Sequence, residues 1–147
     1  MNMKKLIGII AVCALAFGQA VADEYTTDIT KLPETIRSFV NNNFPQVKVA
    51  GIKIDKELLS VEDYKVALSD GTQLEFLPDG TLKEIENKFS GIDLKLIPQA
   101  ISEYVSKNYA GAKIVEFKKK LYGYETELSN GIELKFSPDG KFLGMDM

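Results

Sequence analysis

Residues 64–80, YKVALSDGTQLEFLPDG, recur as residues 124–140, YETELSNGIELKFSPDG, with nine of the seventeen positions identical. The likeness extends upstream, where LPETI at 32–36 matches IPQAI at 97–101. Self-similarity at a fixed spacing is typical of a structural unit that is used more than once. The sequence therefore predicts a tandem duplication, with a first repeat at residues 23–88 and a second repeat at residues 89–147.

Each predicted repeat opens with a helix. Apolar residues recur at i, i+4, i+7, i+8 and i+12, a spacing that places them in one stripe along a helix. Pro33 and Pro98 are typical of the first helical position, where no backbone N–H is needed. The stripe consists of Leu32, Ile36, Phe39, Val40 and Phe44 in the first repeat and Ile97, Ile101, Tyr104, Val105 and Tyr109 in the second.

After each helix the apolar period changes from 3.6 to 2, which indicates strands. Asp70-Gly71 and Asn130-Gly131 predict type I′ hairpins with glycine at positive φ. The predicted fold class is α+β: a helix plus a four-stranded antiparallel meander, present twice, with the helices packed on one face of the sheet. A repeat of about 60 residues is marginally stable alone. We therefore expect both repeats to share one sheet or core and to unfold as one cooperative unit.

The first 22 residues have the pattern of a secretory signal peptide. Lys4 and Lys5 precede an apolar stretch at 6–17, and Ala20-Val21-Ala22 is a small-x-small cleavage site. The sequence predicts cleavage after Ala22, a periplasmic or secreted location and no integral membrane segment after cleavage. A retained membrane anchor and a lipoprotein modified at Cys13 are the alternatives.

The composition of residues 23–147 excludes several classes of function. This part of the chain has 16 basic and 21 acidic residues and contains no His, Cys or Trp. Thiol nucleophiles, histidine triads and histidine metal sites are therefore excluded. We predict a protein that is not an enzyme, with no catalytic residues, no cofactor and no metal site. The acidic balance also argues against a nucleic acid partner.

The first strand of each repeat shows a break in its alternation. Val47 and Val49 are predicted to point to one face of the sheet, and Ile52 and Ile54 to the other. Such residues would form an exposed apolar patch on the helix-free face, and a patch of this kind marks an interaction site. The alternative is a β-bulge, which Gly51 favours, and which returns the later residues to the core. The candidate binding residues are Ile52, Ile54, Val61, Val115, Phe117 and Leu121.

The chain resembles the PepSY-like family of secreted bacterial proteins. The resemblance is carried by the helix starts at 32–33 and 97–98, the Asn-aromatic pairs at 43–44 and 108–109, the strands at 64–68 and 124–128, and the Asp-Gly turns before each last strand. It implies a fold similar to the β-lactamase-inhibitor-protein fold, with a free sheet face as the binding surface.

The resemblance favours a non-catalytic binding module that engages a protein or peptide, for example as an enzyme inhibitor. It supplies no contact residues, because no inhibitory loop sequence is recognised. A small-ligand or envelope-sensing module that uses the same face is the alternative, and an enzyme of unknown type is a more distant one.

Overall fold

The computed structural model describes residues 22–147 of the chain, so the predicted signal peptide lies almost entirely outside the described residues. The elements are β1 (Glu24–Thr26), α1 (Glu34–Asn43), β2 (Val49–Glu57), β3 (Ser60–Leu68), β4 (Gln73–Phe76), β5 (Leu82–Glu86), α2 (Gln99–Asn108), β6 (Ile114–Lys120), β7 (Gly123–Leu128), β8 (Glu133–Phe136) and β9 (Phe142–Asp146).

The predicted fold class, a tandem duplication of a helix plus a four-stranded meander, is wrong. The strands form one antiparallel sheet of nine, in the sequential order β1 to β9, and residues 22–147 contain two α-helices. Two pairings cause the difference. β5 pairs with β6 through Glu84, Ile85 and Glu86, so the strands do not separate into two groups of four. β1 adds a strand that the sequence pattern did not predict, by pairing with residues 52–54 of β2.

The two helices pack against the sheet through their apolar stripes. Ile36 and Ile101 are fully buried, as the periodicity predicted. Phe39 of α1 meets Phe76 of β4 edge to face with ring centroids 5.4 Å apart. In α2, Tyr104 meets Phe136 of β8 in the same way at 5.5 Å. Pro33 and Pro98 each precede the first helical residue by one position and act as N-caps, so the predicted helix starts were one residue early.

A single hydrophobic core lies between the sheet and the helices. Its buried side chains come from both helices and from β2 through β8, and they form one continuous cluster. Phe76 and Phe136 are completely buried within it. Burying a phenylalanine side chain stabilises a fold by about 1.5–3 kcal/mol. The sheet face that carries these residues is therefore committed to stability, and the opposite face is the one left for other roles.

The hairpin turns have glycine at positive φ, as predicted, but the turn type differs. Gly71 has φ 91° and Gly131 has φ 87°, whereas neither Asp70 nor Asn130 has a positive φ. A type I′ turn needs positive φ at both central residues. The Gly71 N–H instead donates to the Leu68 carbonyl, which makes a three-residue turn with glycine at its left-handed position.

Two β-bulges explain the break in alternation. The β2–β3 register shifts between Val49 and Gly51, and the β6–β7 register shifts between Ile114 and Glu116. An extra residue in one strand reverses the faces of the residues that follow it. Ile52 and Phe117 consequently point into the core, with 3% and 4% of their surfaces exposed.

Candidate functional site

The face of the sheet opposite the helices is formed by polar side chains, and we call it the open face. Strand alternation places every second residue on this face, while the intervening residues enter the core. The pairing of neighbouring strands aligns these polar residues in a row across the sheet. From β1 to β8 this row consists of Tyr25, Lys53, Lys65, Glu75, Glu84, Lys118, Glu125 and Lys135.

A depression of about 730 Å³ lies on the open face near the β1 edge. Its floor includes Gly51 of β2 and Ala67 of β3, which lie directly opposite each other. A Cβ added at Gly51 would meet no atom within 4 Å. The depression therefore exists because two of the smallest residues of the open face are neighbours, whereas long side chains surround them.

Tyr25 and Lys53 form one wall of this depression. Tyr25 is 73% exposed, and the Lys53 ammonium lies 5.8 Å from the centre of its ring. Asp55, at 2.6 Å, and Asp23, at 3.3 Å, both bind the same ammonium. Their hydrogen bonds raise the pKa of Lys53 well above its usual range. The wall is therefore an exposed aromatic ring beside a cation that stays charged.

Carboxylates dominate the middle of the open face. Oxygen atoms of Glu84, Glu86 and Glu116 lie within 4.8 Å of one another. Glu116 is buried and is ion-paired with Lys118 and with Lys88, whose ammonium lies 3.1 Å from its carboxylate. Burial opposes the ionisation of Glu116, but hydrogen bonds from these neighbours outweigh it and lower its pKa to about 2. Burial raises the pKa of Glu84 instead.

The six residues predicted to form an apolar patch do not form one. Ile52, Ile54 and Phe117 lie in the core because the bulges rotate them away from the open face. Val115 is the extra residue of the β6 bulge and is buried. Val61 is half-buried against the core. Of the six, Leu121 alone is fully exposed, and it lies at the β6–β7 turn. Ile52 is buried, but it also contributes to the lining of the depression.

The sequence placed a hairpin tip near residues 55–59, but it did not reveal the depression or the exposure of the two leucines at this β2–β3 tip. At that tip Leu58 and Leu59 are 70% and 100% exposed. Leu58 has φ 54°, a conformation that is uncommon for a bulky residue. Gly51 within a strand was the one available signal for the depression, because glycine there often marks a close approach to another molecule.

Comparison with known proteins gives the family. The sequence matches the family described as "Putative beta-lactamase-inhibitor-like, PepSY-like" over residues 21–68 and 62–144. The chain belongs to this PepSY-like family, as its resemblance had suggested. No curated protein matches the sequence at a significant level. Within residues 22–147, neither ten-residue helix has the length and apolar character needed to cross a membrane.

Three solved structures share the fold. One, from Bacteroides vulgatus ATCC 8482, is described as a "putative periplasmic protein of unknown function"; it is 41% identical, with a TM-score of 0.79 over 86% of this chain and 100% of its own. A "putative calcium-regulated periplasmic protein" from Bacteroides thetaiotaomicron is 30% identical, with a TM-score of 0.78 over 85% and 97%. A third, from the DUF2874 family of Bacteroides vulgatus ATCC 8482, is 32% identical, with a TM-score of 0.77 over 87% and 99%.

Proposed function

We propose that this chain is a non-catalytic periplasmic binding module that engages a protein partner through the open face. The observation that carries the proposal is the depression floored by Gly51 and Ala67 with the exposed Tyr25 at its wall. Binding sites between proteins concentrate their energy in a few aromatic side chains and the pockets next to them. An apolar side chain of the partner would occupy the depression, and Tyr25 would pack against it.

The charges of the open face support a protein as the occupant. Lys53 and Lys65 flank the depression and both bind Asp55, which leaves an ordered polar rim around an apolar floor. A rim of this kind contributes specificity and orientation more than affinity. The family's likeness to β-lactamase inhibitors makes an enzyme one class of partner.

The location is part of the proposal. The neighbours of known structure are described as periplasmic, and residues 1–22 have the sequence pattern of a Sec-type signal peptide with cleavage after Ala22. β1 begins at Glu24, so this cleavage would leave every strand of the sheet intact. Amino-terminal sequencing of protein recovered from the periplasm tests the site, and a mature chain that begins elsewhere would contradict it.

Two ion-paired carboxylates of the open face favour a binding role, whereas burial raises the pKa of Glu84 on the same face. Asp55 is held between Lys53 and Lys65, and Glu116 between Lys88 and Lys118. A general acid or base works best with a pKa near the operating pH, whereas the pKa values of Asp55 and Glu116 are both lowered. These carboxylates therefore act as fixed charges.

The carboxylate cluster does not fit a calcium ion, although one structural neighbour is described as calcium-regulated. Calcium takes six to eight oxygen ligands, many of them from loops. The cluster offers three carboxylates on adjacent strands, Glu84, Glu86 and Glu116. Two lysines already occupy Glu116, and a cation placed there would meet their repulsion. We therefore derive no calcium-dependent function from this cluster.

A small-ligand module is the second candidate function, and the size of the depression favours it. Its volume of about 730 Å³ lies within the range of about 300–1,000 Å³ that small-molecule sites occupy. Such a ligand would lie between Tyr25 and Lys65, where an aromatic ring and an ammonium group bracket the apolar floor. The same variants test both candidates.

The experiment is to isolate the partner by crosslinking in the periplasm, purify it, and measure its affinity for three variants. Tyr25→Ala removes the wall, and Ala67→Arg fills the depression; each should weaken binding at least about tenfold, the effect of losing one strong contact. Phe89→Ala removes an aromatic ring that is 85% exposed and does not line the depression, so it should leave binding unchanged.

Equal affinity for the Tyr25→Ala, Ala67→Arg and Phe89→Ala variants would overturn the proposed site. Native mass spectrometry of the purified chain provides the other arm of the test. A small molecule that is retained by the unmodified chain and lost from the Ala67→Arg variant would establish the second candidate in place of the first.

A further inference from the structure

β9 is an edge strand whose outer side is unpaired within residues 22–147. Its inner side pairs with β8, with Gly144 opposite Lys135 and Met145 opposite Leu134. An unpaired edge presents a row of N–H and C=O groups that accept another strand. A bulge at Leu143 interrupts the start of β9, but residues 144–146 are regular and contain neither proline nor lysine, the residues that commonly protect edges.

β5 shows that a strand of this local geometry accepts a partner. β5 pairs with β4 in the same way as β9 pairs with β8, including a bulge after its first residue. The outer side of β5 is covered by β6, which pairs with residues 84–86. Ile85 at the centre of that segment is fully buried, whereas Met145 at the matching position of β9 is 44% exposed. β5 has a strand on its outer side, whereas β9 has none within residues 22–147.

The backbone groups of Met145 point outward. The Leu128 N–H donates to the Ile132 carbonyl, and hydrogen-bonded pairs alternate along an antiparallel ladder. Leu128 and Ile132 are therefore a hydrogen-bonded pair, and Thr126 and Leu134, two residues along each strand, form the next one. The N–H and C=O of Leu134 consequently point toward β7. Its partner on the other side, Met145, consequently directs its N–H and C=O away from β8.

Gly144 has no role that the single chain explains. Its φ is not positive, and a Cβ at this position would meet no atom within 4 Å. Glycine in a strand weakens the strand unless another backbone or ligand must come close. Next to it, Asp146 binds Lys135 at 2.7 Å. The outer edge of β9 thus combines outward backbone groups, a bare glycine and one ion pair.

We propose that β9 pairs antiparallel with β9 of a second copy, about a twofold axis at Met145. This register places Met145 opposite itself and Gly144 opposite Asp146 of the second copy. In this register no like charges face each other. Asp146 of the second copy lies beside Gly144, in the same row of the open face as Lys135, where glycine leaves space for its side chain. Leu143 and Met147, which are 57% and 99% exposed, lie opposite each other and cover apolar surface.

Disulfide trapping tests this register, because residues 23–147 contain no cysteine. In a Cys13→Ala background, Met145→Cys should crosslink two copies, since residues opposite each other in a ladder have a Cα separation of about 5.5 Å, within the range of a disulfide. Leu59→Cys, at a fully exposed hairpin tip, is the control for random collision. We expect the Met145→Cys dimer to form at least about tenfold faster, because pairing raises the effective concentration.

Light scattering provides the second measurement. The unsubstituted chain should show a concentration-dependent doubling of mass, which Met145→Pro should abolish by removing the outward N–H, while Met145→Ala should keep it. Circular dichroism checks that the Met145→Pro variant remains folded. A monomer at every concentration, equal crosslinking rates, or a dimer that survives in a folded Met145→Pro variant would each overturn the proposal. The proposal would also be overturned if the β9 edge bound an unrelated extended peptide but not a second copy of the chain.

Discussion

Ile85 of β5 lies directly opposite Phe117 of β6, and the two buried side chains join the two halves of the sheet. The pairing continues on the open face, where Glu84 lies opposite Lys118. Among residues 22–147, β5–β6 is the one strand pair that connects the first five strands to the last four, and the continuous core couples the two halves as well.

The first prediction is that the halves unfold together. Phe76→Ala and Phe136→Ala, one in each half, should each lower the stability of a single unfolding transition by about 3–5 kcal/mol, the usual cost of emptying a buried phenylalanine site. Urea unfolding followed by circular dichroism measures this. Two transitions, each shifted by only one of the substitutions, would mean that the halves are independent.

The second prediction concerns residues that the sequence had suggested for partner binding. Phe117→Glu and Ile52→Glu should each unfold the protein or cost several kcal/mol, because an unpaired charge would have to enter the core. Leu121→Glu is the control: this side chain is fully exposed, so its substitution should change stability by no more than about 0.5 kcal/mol. A folded, stable Phe117→Glu variant would contradict the bulge at β6.

The third prediction compares two glycines at positive φ. At Gly131 a Cβ would meet nothing, so Gly131→Ala should cost only the backbone strain of about 1–2 kcal/mol. At Gly123 a Cβ would lie 2.1 Å from the Phe136 carbonyl oxygen, so Gly123→Ala requires a backbone movement and should cost more than that. Thermal unfolding of both variants checks that Gly123→Ala loses more stability than Gly131→Ala. Equal losses would show that the close approach of β7 to the end of β8 is absent.

The fourth prediction is a loss of stability in acid that depends on Glu116. Its folded pKa of about 2 lies below its ordinary value of 4.5, so its ion pairs stabilise the fold above pH 4.5. This contribution, at most about 3 kcal/mol, is lost as the pH falls from 4.5 toward 2. Glu116→Gln should therefore flatten the decline in stability between these pH values, whereas Glu103→Gln on the exposed side of α2 should not. Parallel declines in the two variants would contradict the assignment.

Patterns within short stretches of sequence predicted the helices and the tight turns, which depend on interactions between residues close in the chain. The stripe that contains Ile36 and Val40 predicted a helix, and Gly71 predicted a tight turn, because both depend on residues close in the chain. β1 was missed because three residues at an edge have no periodicity to detect. The sequence analysis expected the repeats to share one sheet or core, but it named neither the β5–β6 pairing nor the β1–β2 pairing that makes the sheet nine-stranded, since each joins residues on either side of a helix.

The candidate site was out of reach for the same reason. Gly51 and Ala67 form the floor of the depression only because the β2–β3 register places them opposite each other after a bulge. The same bulge decides whether Ile52 faces solvent or core, and the sequence is compatible with both. Tyr25 joins the site from β1, the strand that no pattern predicted.

The sequential strand order has a kinetic consequence. Within residues 22–147 each strand pairs only with its neighbours in the chain, so most of the sheet is built from hairpins whose closure is fast and local. Among the nine described strands, two closures, β1 onto β2 and β5 onto β6, span a helix and must wait for it to form. We therefore expect a chain that emerges amino-terminus first to build β2–β5 before β6–β9, with the Ile85–Phe117 contact formed late and limiting the folding rate.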